Sequence, residues 1–522
     1  MHVAPLTGLL ALSHGGHQHV VRSSTPGSAS CLALQQSLQL QNTTIVDVSY
    51  HPSPATLTCQ GTCQTTANST VAFCRVQFKT ATSSTSGFTA EAWLPDVWYG
   101  RFLAVGNGGL NGCIEYDRLD QGSALHFATV ASNAGHDGDT AVAFLNNPGV
   151  QSDFSHRAVH LQTVLGKQIT TQYYGQSIQH SYYVGCSSGG RQGTQAALLH
   201  PDDYEGIVAG ACALDFNHLL IKAALMARAI GAPNPTNSSS YVPLTSWQYV
   251  TKEILAQCDA LDGIVDGIVS DPDACNFNTE RLLCTPVDVA SGTPCFTRDQ
   301  ITALNVVYTP TYAPDGTEWY PRFNPTAERA PLVAFSLSGA FPSYASDWMR
   351  YMVLNTSATY DASNFGINEA ILFDKVWGDN VATFSGDLSA FNARGGKFIA
   401  FHGTADPVVM PGIAKRMYNL VSSTMNMAPA ALDSFYRLFM IPSMEHCNGG
   451  YKAADEFGQY AVATNTNTSK THIILAIVDW VEGGNAPDVI VGTMADGVTT
   501  RDHCKYPATS MWDSKQAKFV CV

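Results

Sequence analysis

Short apolar runs that end in glycine or in a polar loop recur along the first part of the chain. Residues 71–78, 88–94 and 101–106 are three such runs, and the last leads into the sequence GNGG at 106–109. Runs of this length and composition predict β-strands. The glycine cluster predicts a tight loop directly after the third strand.

Further along, strands alternate with helical segments. Residues 181–184 form an apolar run that ends in the turn GCSSGG at 185–190, and residues 192–200 have the pattern of a helix. Residues 397–401 and 435–441 are two more apolar strands. This alternation predicts an α/β fold with a mostly parallel sheet. In such sheets the functional loops gather at the carboxyl ends of the strands.

The alternation is lost between residues 212 and 391, where aromatic residues, prolines, cysteines and an acidic cluster crowd together. A chain of 522 residues is too long for one ordinary compact core. We therefore predict an inserted lid domain at 212–391 within a catalytic domain formed by 31–211 and 392–522. The Ser-, Gly- and His-rich residues 1–30 are predicted to be a leader or flexible segment outside the fold.

Composition and charge restrict the classes of partner. Hydrophobic residues make up 45% of the chain and charged residues 13%, a balance that can bury a core. The net charge is −14 and no run of Lys or Arg occurs, which argues against a nucleic acid or an anionic membrane as partner. No apolar stretch reaches about 18 residues, so we expect no membrane-spanning helix. A neutral or weakly acidic substrate fits better.

The 14 cysteines indicate an oxidising compartment. None of them has the CxxC spacing of a structural zinc site, so disulfides are the expected state. The apolar run at 4–12 lacks the Lys or Arg that opens a typical signal peptide. Secretion is instead predicted from the cysteines and from five N-glycosylation triplets. These triplets begin at Asn42, Asn68, Asn237, Asn355 and Asn467.

The turn at 185–189 reads Gly-Cys-Ser-Ser-Gly and matches the G-x-S-x-G nucleophile elbow. In that motif a serine lies between a strand and a helix, with its hydroxyl exposed above the sheet. The alternative is an ordinary Gly/Ser loop. The predicted strand before the turn and the helix after it favour the elbow, so Ser187 is the predicted nucleophile.

A serine hydroxyl needs a base, and the base needs a carboxylate that orients it. In α/β-hydrolases the acid follows the serine and the histidine comes last. Asp406 follows the predicted strand at 397–401, and His446 follows the one at 435–441. A surface or capping role is the alternative for either residue alone. Their order and context favour a triad with Ser187.

Backbone amides must stabilise the oxyanion that forms when a serine attacks a carbonyl group, and loss of one such donor costs on the order of a hundredfold to a thousandfold in rate. We predict the amide of Ser188, at the start of the helix. The second predicted donor is the amide of Gly109, in the glycine loop after the earlier strand.

Two cysteines flank the predicted catalytic residues. Cys186 immediately precedes the serine, and Cys447 immediately follows the histidine. If the serine and the histidine are partners, these cysteines lie close enough for a disulfide, which would clamp the base to the nucleophile. Two unrelated buried thiols are the alternative.

An acidic loop at 258–268 offers oxygen ligands for a hard cation. It contains Asp259, Asp262 and Asp266 together with two glycines, which suits Ca²⁺. The terminal Glu of an EF-hand is missing, so backbone carbonyls, of Ile264 and Ile268, would have to complete the shell. A solvated acidic turn is the alternative. A bound ion would be structural, because triad chemistry needs no metal.

The CS pair at 186–187, Asp406 and the HC pair at 446–447 resemble the CS-D-HC signature of the tannase and feruloyl esterase family. The resemblance extends from about residue 31 to residue 521. Three longer motifs are most similar to fungal type-B feruloyl esterases: GNGGLNGC at 106–113, GHDGD at 135–139 and GCSSGGRQG at 185–193.

This resemblance implies an α/β-hydrolase core and a lid that carries a structural Ca²⁺ ion on Asp259, Asp262, Ile264, Asp266 and Ile268. The implied substrates are feruloyl, coumaroyl or caffeoyl esters on plant polysaccharide. The implied disulfides are Cys31–Cys74, Cys59–Cys113, Cys186–Cys447, Cys258–Cys275, Cys284–Cys295 and Cys504–Cys521. Cys63 and Cys212 are then left over, and Cys63 could replace Cys59.

Two other functions stay open. A tannase that acts on galloyl esters would use the same triad, as would a relative that splits a synthetic aromatic monoester. Only the side chains of the lid decide which of these esters is the substrate. The alternative of another class is a catalytically silent binding protein with this fold. Degenerate relatives normally lose a triad member, whereas all three residues are present here.

Overall fold

A nine-stranded mixed sheet forms the centre of the protein. The computed structural model describes residues 27–376, 381–382, 384–460 and 466–522. Its strands are β1 (Thr43–His51), β2 (Ala55–Thr58), β3 (Thr66–Ser69), β4 (Phe73–Ala81), β5 (Gly87–Pro95), β6 (Arg101–Val105), β7 (Phe127–Ser132), β8 (His180–Cys186), β9 (Gly206–Gly210), β10 (Thr311–Tyr312), β11 (Glu318–Tyr320), β12 (Lys397–Gly403), β13 (Tyr436–Ile441), β14 (Val489–Thr493), β15 (Thr500–Cys504), β16 (Ser510–Asp513) and β17 (Lys518–Cys521).

Helices surround this sheet and fill the long segment between β9 and β12. They are α1 (Ser28–Ser37), α2 (Tyr116–Ala124), α3 (Pro148–Ser152), α4 (Ala158–Tyr174), α5 (Ser188–Leu199), α6 (Phe216–Ala229), α7 (Trp247–Cys258), α8 (Pro286–Ser291), α9 (Arg298–Val307), α10 (Ala334–Leu337), α11 (Ser343–Asp347), α12 (Ile367–Asp374), α13 (Ser389–Ala393), α14 (Gly412–Thr424), α15 (Pro429–Leu432) and α16 (Ile473–Gly483).

The sheet has the strand order β1-β4-β5-β7-β6-β8-β9-β12-β13. The pairs from β1 to β7 are antiparallel, and all pairs from β7 to β13 are parallel. The predicted α/β class with a mostly parallel sheet is therefore confirmed. The six predicted apolar runs correspond to β4, β5, β6, β8, β12 and β13. The hydrophobic pattern did not predict the short central strands β7 and β9.

Alternation of side chains along β8 builds a core on each face of the sheet. Tyr183 packs in the cluster that includes Ile169 of α4 and Ile207 of β9, whereas the neighbouring Tyr182 packs with Ile477 of α16 on the other face. All five side chains are buried. Burial of apolar surface contributes roughly 25 cal/mol per Å². The two cores hold the parallel strands rigidly, so that the loops at their carboxyl ends keep fixed positions.

The segment between β9 and β12 contributes no strand to the nine-stranded sheet in the part of the chain that the structure describes. It contains helices α6 to α13 and the short β10–β11 hairpin. Disulfides Cys258–Cys275 and Cys284–Cys295 close two loops within it. The predicted lid boundaries, 212 and 391, fall close to β9 and β12. Its assignment as a separate domain stays a prediction.

Six disulfides form among the described residues, and five of them are pairs that the resemblance implied. The sixth is Cys63–Cys113, so the expected pairing of Cys59 with Cys113 is wrong. Cys59 lies at the base of the β2–β3 hairpin, where its amide donates to Thr65 O at 3.0 Å. Cys63 lies in the turn of this hairpin, with its Cα 5.8 Å from that of Cys113. Cys59 and Cys212 are free thiols.

Among the described residues the first helix is α1, which begins at Ser28, shortly before the predicted start of the core at residue 31. Residues 1–26 of the predicted leader lie outside the described residues. Cys31 in α1 is buried and bound to Cys74 of β4. Over the described ranges, no helix combines the length and the apolar character needed to cross a bilayer. All five sequon asparagines are exposed.

Candidate active site

The turn between β8 and α5 holds Ser187 in a conformation that side chains rarely adopt. Its φ is 63° and its ψ is −124°, a region that is strained for a residue other than glycine. The amide of Ser187 donates to Gly210 O at 2.9 Å, and the amide of Ala213 donates to Ser187 O at 3.0 Å. A Cβ at Gly185 would lie 2.6 Å from the backbone of Gly189, so the turn requires small residues there. This is the geometry of a nucleophile elbow.

Asp406 and His446 meet beyond the carboxyl ends of the neighbouring parallel strands β12 and β13. His446 Nδ1 lies 2.7 Å from Asp406 Oδ2. The carboxylate is fully buried, while 14% of the His446 side chain is exposed. Because Nδ1 is engaged by the carboxylate, Nε2 is the nitrogen that remains available to take a proton.

Several donors hold the carboxylate of Asp406. The amides of Val408 and Val409 donate to Oδ1 at 2.8 and 2.9 Å, and His402 Nε2 lies 3.1 Å from Oδ2. Burial acts to raise the pKa of Asp406. The charge of His446 and hydrogen bonds from His402 and His446 outweigh burial and hold this pKa well below its usual range. Asp406 is therefore an ionised acceptor.

His402 is a member of this cluster that sequence reasoning missed. Its Nε2 lies against two acceptors, Asp406 Oδ2 and Val409 O, the latter at 2.9 Å, so this nitrogen carries the proton. The ring is fully buried. The available signal was its position four residues before Asp406, in the sequence HGTAD at 402–406. His402 positions the carboxylate by contacting Oδ2, the same oxygen that His446 contacts.

The disulfide between Cys186 and Cys447 forms as predicted. Its Cα atoms are 6.1 Å apart, although 261 residues separate the two cysteines along the chain. Both cysteines are buried. One is bonded in sequence to Ser187 and the other to His446, so the bridge holds the segments that carry these two side chains next to each other.

The two predicted oxyanion donors line the same cavity beside Ser187. Ser188 is the first residue of α5, so its amide has no partner within the helix. Gly109 lies after β6 with a φ of 47°, and its carbonyl accepts a hydrogen bond from Ser188 Oγ at 2.6 Å. Neither amide donates to another protein atom in the ranges that the structure describes. Both remain available for a ligand oxygen.

A narrow, almost entirely apolar cavity opens at Ser187. Its polar side chains are those of Ser187, Ser188 and Tyr344. The hydroxyl of Tyr344 donates to Asp139 and lies 2.8 and 3.0 Å from the two carboxylate oxygens. Most of the lining comes from the segment between β9 and β12. The lining residues are Gly109, Ser187, Ser188, Ala213, Phe216, Leu219, Leu220, Ala223, Phe335, Tyr344, Val408 and Val409. A lining of this kind suits contact with an apolar or aromatic group next to the serine.

The acidic loop lies after α7, in the inserted segment. Asp259 and Asp262 are buried, and burial raises the pKa of Asp262, with the charge of Asp266 adding to the shift. No Lys, Arg or His in the described part of the chain forms a salt bridge with the three aspartates. The carbonyls of Ile264 and Ile268 accept no hydrogen bond over the same ranges. This oxygen-only set of donors fits a hard cation such as Ca²⁺.

Comparison with known protein sequences places the chain among tannases and feruloyl esterases. A family model described as "Tannase and feruloyl esterase" matches residues 74–521. A probable feruloyl esterase B-1 of Aspergillus oryzae is 38% identical over 494 residues, which cover 92% of this chain and 89% of that protein. Feruloyl esterase B of Aspergillus niger is 36% identical over 509 residues, which cover 96% of each chain.

Solved structures are similar over nearly the whole chain. The crystal structure of feruloyl esterase B from Aspergillus oryzae has a TM-score of 0.90 and 36% identity, and the match covers 95% of this chain and all of that one (100%). Tannin acyl hydrolase from Aspergillus niger has a TM-score of 0.76 at 20% identity, with 96% of each chain covered. At that identity the second match shows a shared fold alone.

Proposed function

Because the chain belongs to the tannase and feruloyl esterase family and is a carboxylic-ester hydrolase, we propose that it releases ferulic, coumaric and caffeic acids from esters of plant cell-wall polysaccharide. We assign the chemistry to Ser187, His446 and Asp406. The proposal is supported above all by the cavity at Ser187, whose lining is mostly apolar and includes the aromatic rings of Phe216 and Phe335.

In the acylation step, His446 Nε2 takes the proton of Ser187 Oγ as the oxygen attacks the ester carbonyl carbon. The negative charge then develops on the carbonyl oxygen. The amides of Ser188 and Gly109 donate to that oxygen. When the intermediate collapses, the bond to the alcohol oxygen breaks, and protonated His446 delivers its proton to the leaving alcohol.

Deacylation repeats these steps with water as the nucleophile. His446 removes a proton from water, the hydroxide attacks the acyl carbon, and Ser187 Oγ leaves with the proton from His446. Asp406 keeps Nδ1 protonated and stabilises the imidazolium that forms twice in each cycle. The free aromatic acid and the regenerated serine are the products.

The lining of the cavity favours a hydroxycinnamoyl over a galloyl group. A galloyl ring carries three hydroxyl groups, and each buried hydroxyl needs a hydrogen-bonding partner. Besides Ser187, the cavity offers the hydroxyls of Ser188 and Tyr344. They lie among apolar side chains such as Phe216, Leu219 and Phe335. A hydroxycinnamoyl group places its apolar propenoyl stem against such a surface and brings few polar groups with it.

We further propose that Asp259, Asp262, Ile264, Asp266 and Ile268 bind a structural Ca²⁺ ion. The buried carboxylates and the two free carbonyls support this assignment. The ion would neutralise the acidic loop and hold the end of α7. Secretion and glycosylation are also proposed, supported by six disulfides and by five exposed sequons.

Turnover on a matched panel of methyl esters tests the proposed substrate. We expect kcat/KM for methyl ferulate, coumarate, caffeate or sinapate to exceed that for methyl gallate. Because a site with few polar groups discriminates weakly, the difference should be about 10- to 200-fold. Preference for gallate would make the protein a tannase, and no turnover by folded protein on any of the five would indicate a silent binding protein.

A further inference from the structure

A cluster of histidines lies at the end of α5 remote from Ser187. In the described part of the chain, His160, His200 and Asp203 are the one group of three His, Cys, Asp or Glu side chains whose ligand atoms all lie within 4.8 Å of one another. His156 joins the cluster, with its Nδ1 3.4 Å from His200 Nε2. The cluster thus combines three imidazoles and one carboxylate.

The fold brings these side chains together from two regions of the chain. His156 and His160 are four residues apart on one continuous helical run, so they share a helix face. His200 follows the last residue of α5, and Asp203 lies in the loop before β9. His160 Nδ1 is 2.8 Å from Asp203 Oδ2, and the rings of His160 and His200 stack with centroids 3.9 Å apart.

The position of the cluster suits a cation. His160 and His200 are half-buried and Asp203 is buried, so an ion between them would be partly shielded from water. The carboxyl end of α5 carries partial negative charge and also favours a cation.

We propose that His156, His160, His200 and Asp203 form a binding site for a divalent transition-metal ion of the zinc class. Imidazole nitrogens with one carboxylate oxygen are the donors that such ions take. Because the nitrogen lone pair of an imidazole lies in the ring plane, one of the stacked rings of His160 and His200 would turn about its Cβ–Cγ bond on binding. The ion would then join α4, α5 and the loop before β9. Because α5 has 12 residues, the site lies about 18 Å from the serine. It is therefore structural and independent of ester hydrolysis.

Isothermal titration of the whole protein with Zn²⁺ tests this site, in a buffer with excess Ca²⁺ so that the acidic loop does not compete. His160→Gln and His200→Gln remove one ligand each. The matched control is His180→Gln, which alters a half-buried histidine of β8 outside the cluster. Ester turnover without zinc shows that each variant is folded, because none of these residues contacts the serine cavity.

We expect one zinc equivalent on the wild type and on His180→Gln, with a raised Tm in both. His160→Gln and His200→Gln should bind at least roughly 10-fold more weakly, since even an outer-shell partner of a ligand is worth about 10- to 100-fold in affinity. Co²⁺ in place of Zn²⁺ should give visible absorption that both cluster variants lose. Absence of zinc binding by the active wild type, or equal zinc affinity in the wild type and His200→Gln, overturns the proposal.

Discussion

Glu445 shows how the charges around the candidate site act on a single residue. It precedes His446 and is partly buried. Burial and the charges of Asp406 and Asp455 raise the pKa of Glu445 to about 7, against the opposing charge of Arg329. The ordinary value is 4.5. The folded protein therefore holds a proton on this side chain at pH values where the unfolded chain has already released it.

The pKa of Glu445 predicts a pH-dependent stability. Between pH values of about 4.5 and about 7 the folded state binds more protons than the unfolded state, so the free energy of unfolding falls as the pH rises. Glu445→Gln removes this fall, because glutamine does not ionise. The Tm of the variant relative to wild type should increase over this interval in scanning calorimetry. A Tm difference that stays constant with pH contradicts the assignment.

Single residues differ in how far the sequence reveals them. Ser187 was predictable because the elbow, its strand and its helix are contiguous in the chain. His402 was not assigned, because its contact with Asp406 depends on how the loop after β12 folds back. Cys63 and Cys59 are both near a turn, and only the register of the β2–β3 hairpin decides which of them faces Cys113.

At the scale of elements, the candidate site depends on the alignment of β8, β12 and β13. Their parallel register places Ser187, Asp406 and His446 at the same end of the sheet. The loop after β13 that carries His446 is far from the elbow in sequence, because 261 residues separate Cys447 from Cys186. The Cys186–Cys447 disulfide joins this loop to β8, so it should restrict the position of the base.

Removal of this disulfide should lower kcat and change KM only slightly. A disulfide contributes roughly 2–4 kcal/mol to stability, so the Cys186→Ala/Cys447→Ala variant should also have a lower Tm. The matched control is Cys284→Ala/Cys295→Ala, which removes a disulfide of the inserted segment. With circular dichroism showing both variants folded, the control should keep its kcat on methyl ferulate. Full activity of the Cys186→Ala/Cys447→Ala variant would show that the clamp is dispensable.

At the scale of the whole molecule, the α/β class and the order of the candidate triad were readable from the sequence. Both depend on signals that are local in the chain: apolar runs, glycine turns and the residues that follow them. The lining of the cavity was not readable, because α6, α10 and α11 reach Ser187 only through the tertiary fold of the inserted segment. The histidine cluster is hidden for the same reason, since its contacting pairs are 43 and 44 residues apart in the chain.

The proposed Ca²⁺ site predicts that the stability of the whole protein depends on calcium. An ion that binds the folded state alone stabilises it by about 2.7 kcal/mol when present at about 100 times its Kd. A calcium chelator should therefore lower Tm, and added Ca²⁺ should restore it. Asp266→Asn should respond more weakly to both treatments. A wild-type Tm that is the same with chelator and with excess Ca²⁺ would exclude the site.

The most direct test of the account is the turnover of methyl ferulate by Ser187→Ala. The variant removes the attacking oxygen and leaves the cavity and the oxyanion donors in place. We predict a fall in kcat on the order of 10⁶-fold, as when a serine nucleophile is removed from a triad, with an unchanged circular dichroism spectrum and Tm within a few degrees of wild type. Comparable turnover by the folded variant and the wild type would contradict Ser187 as the nucleophile.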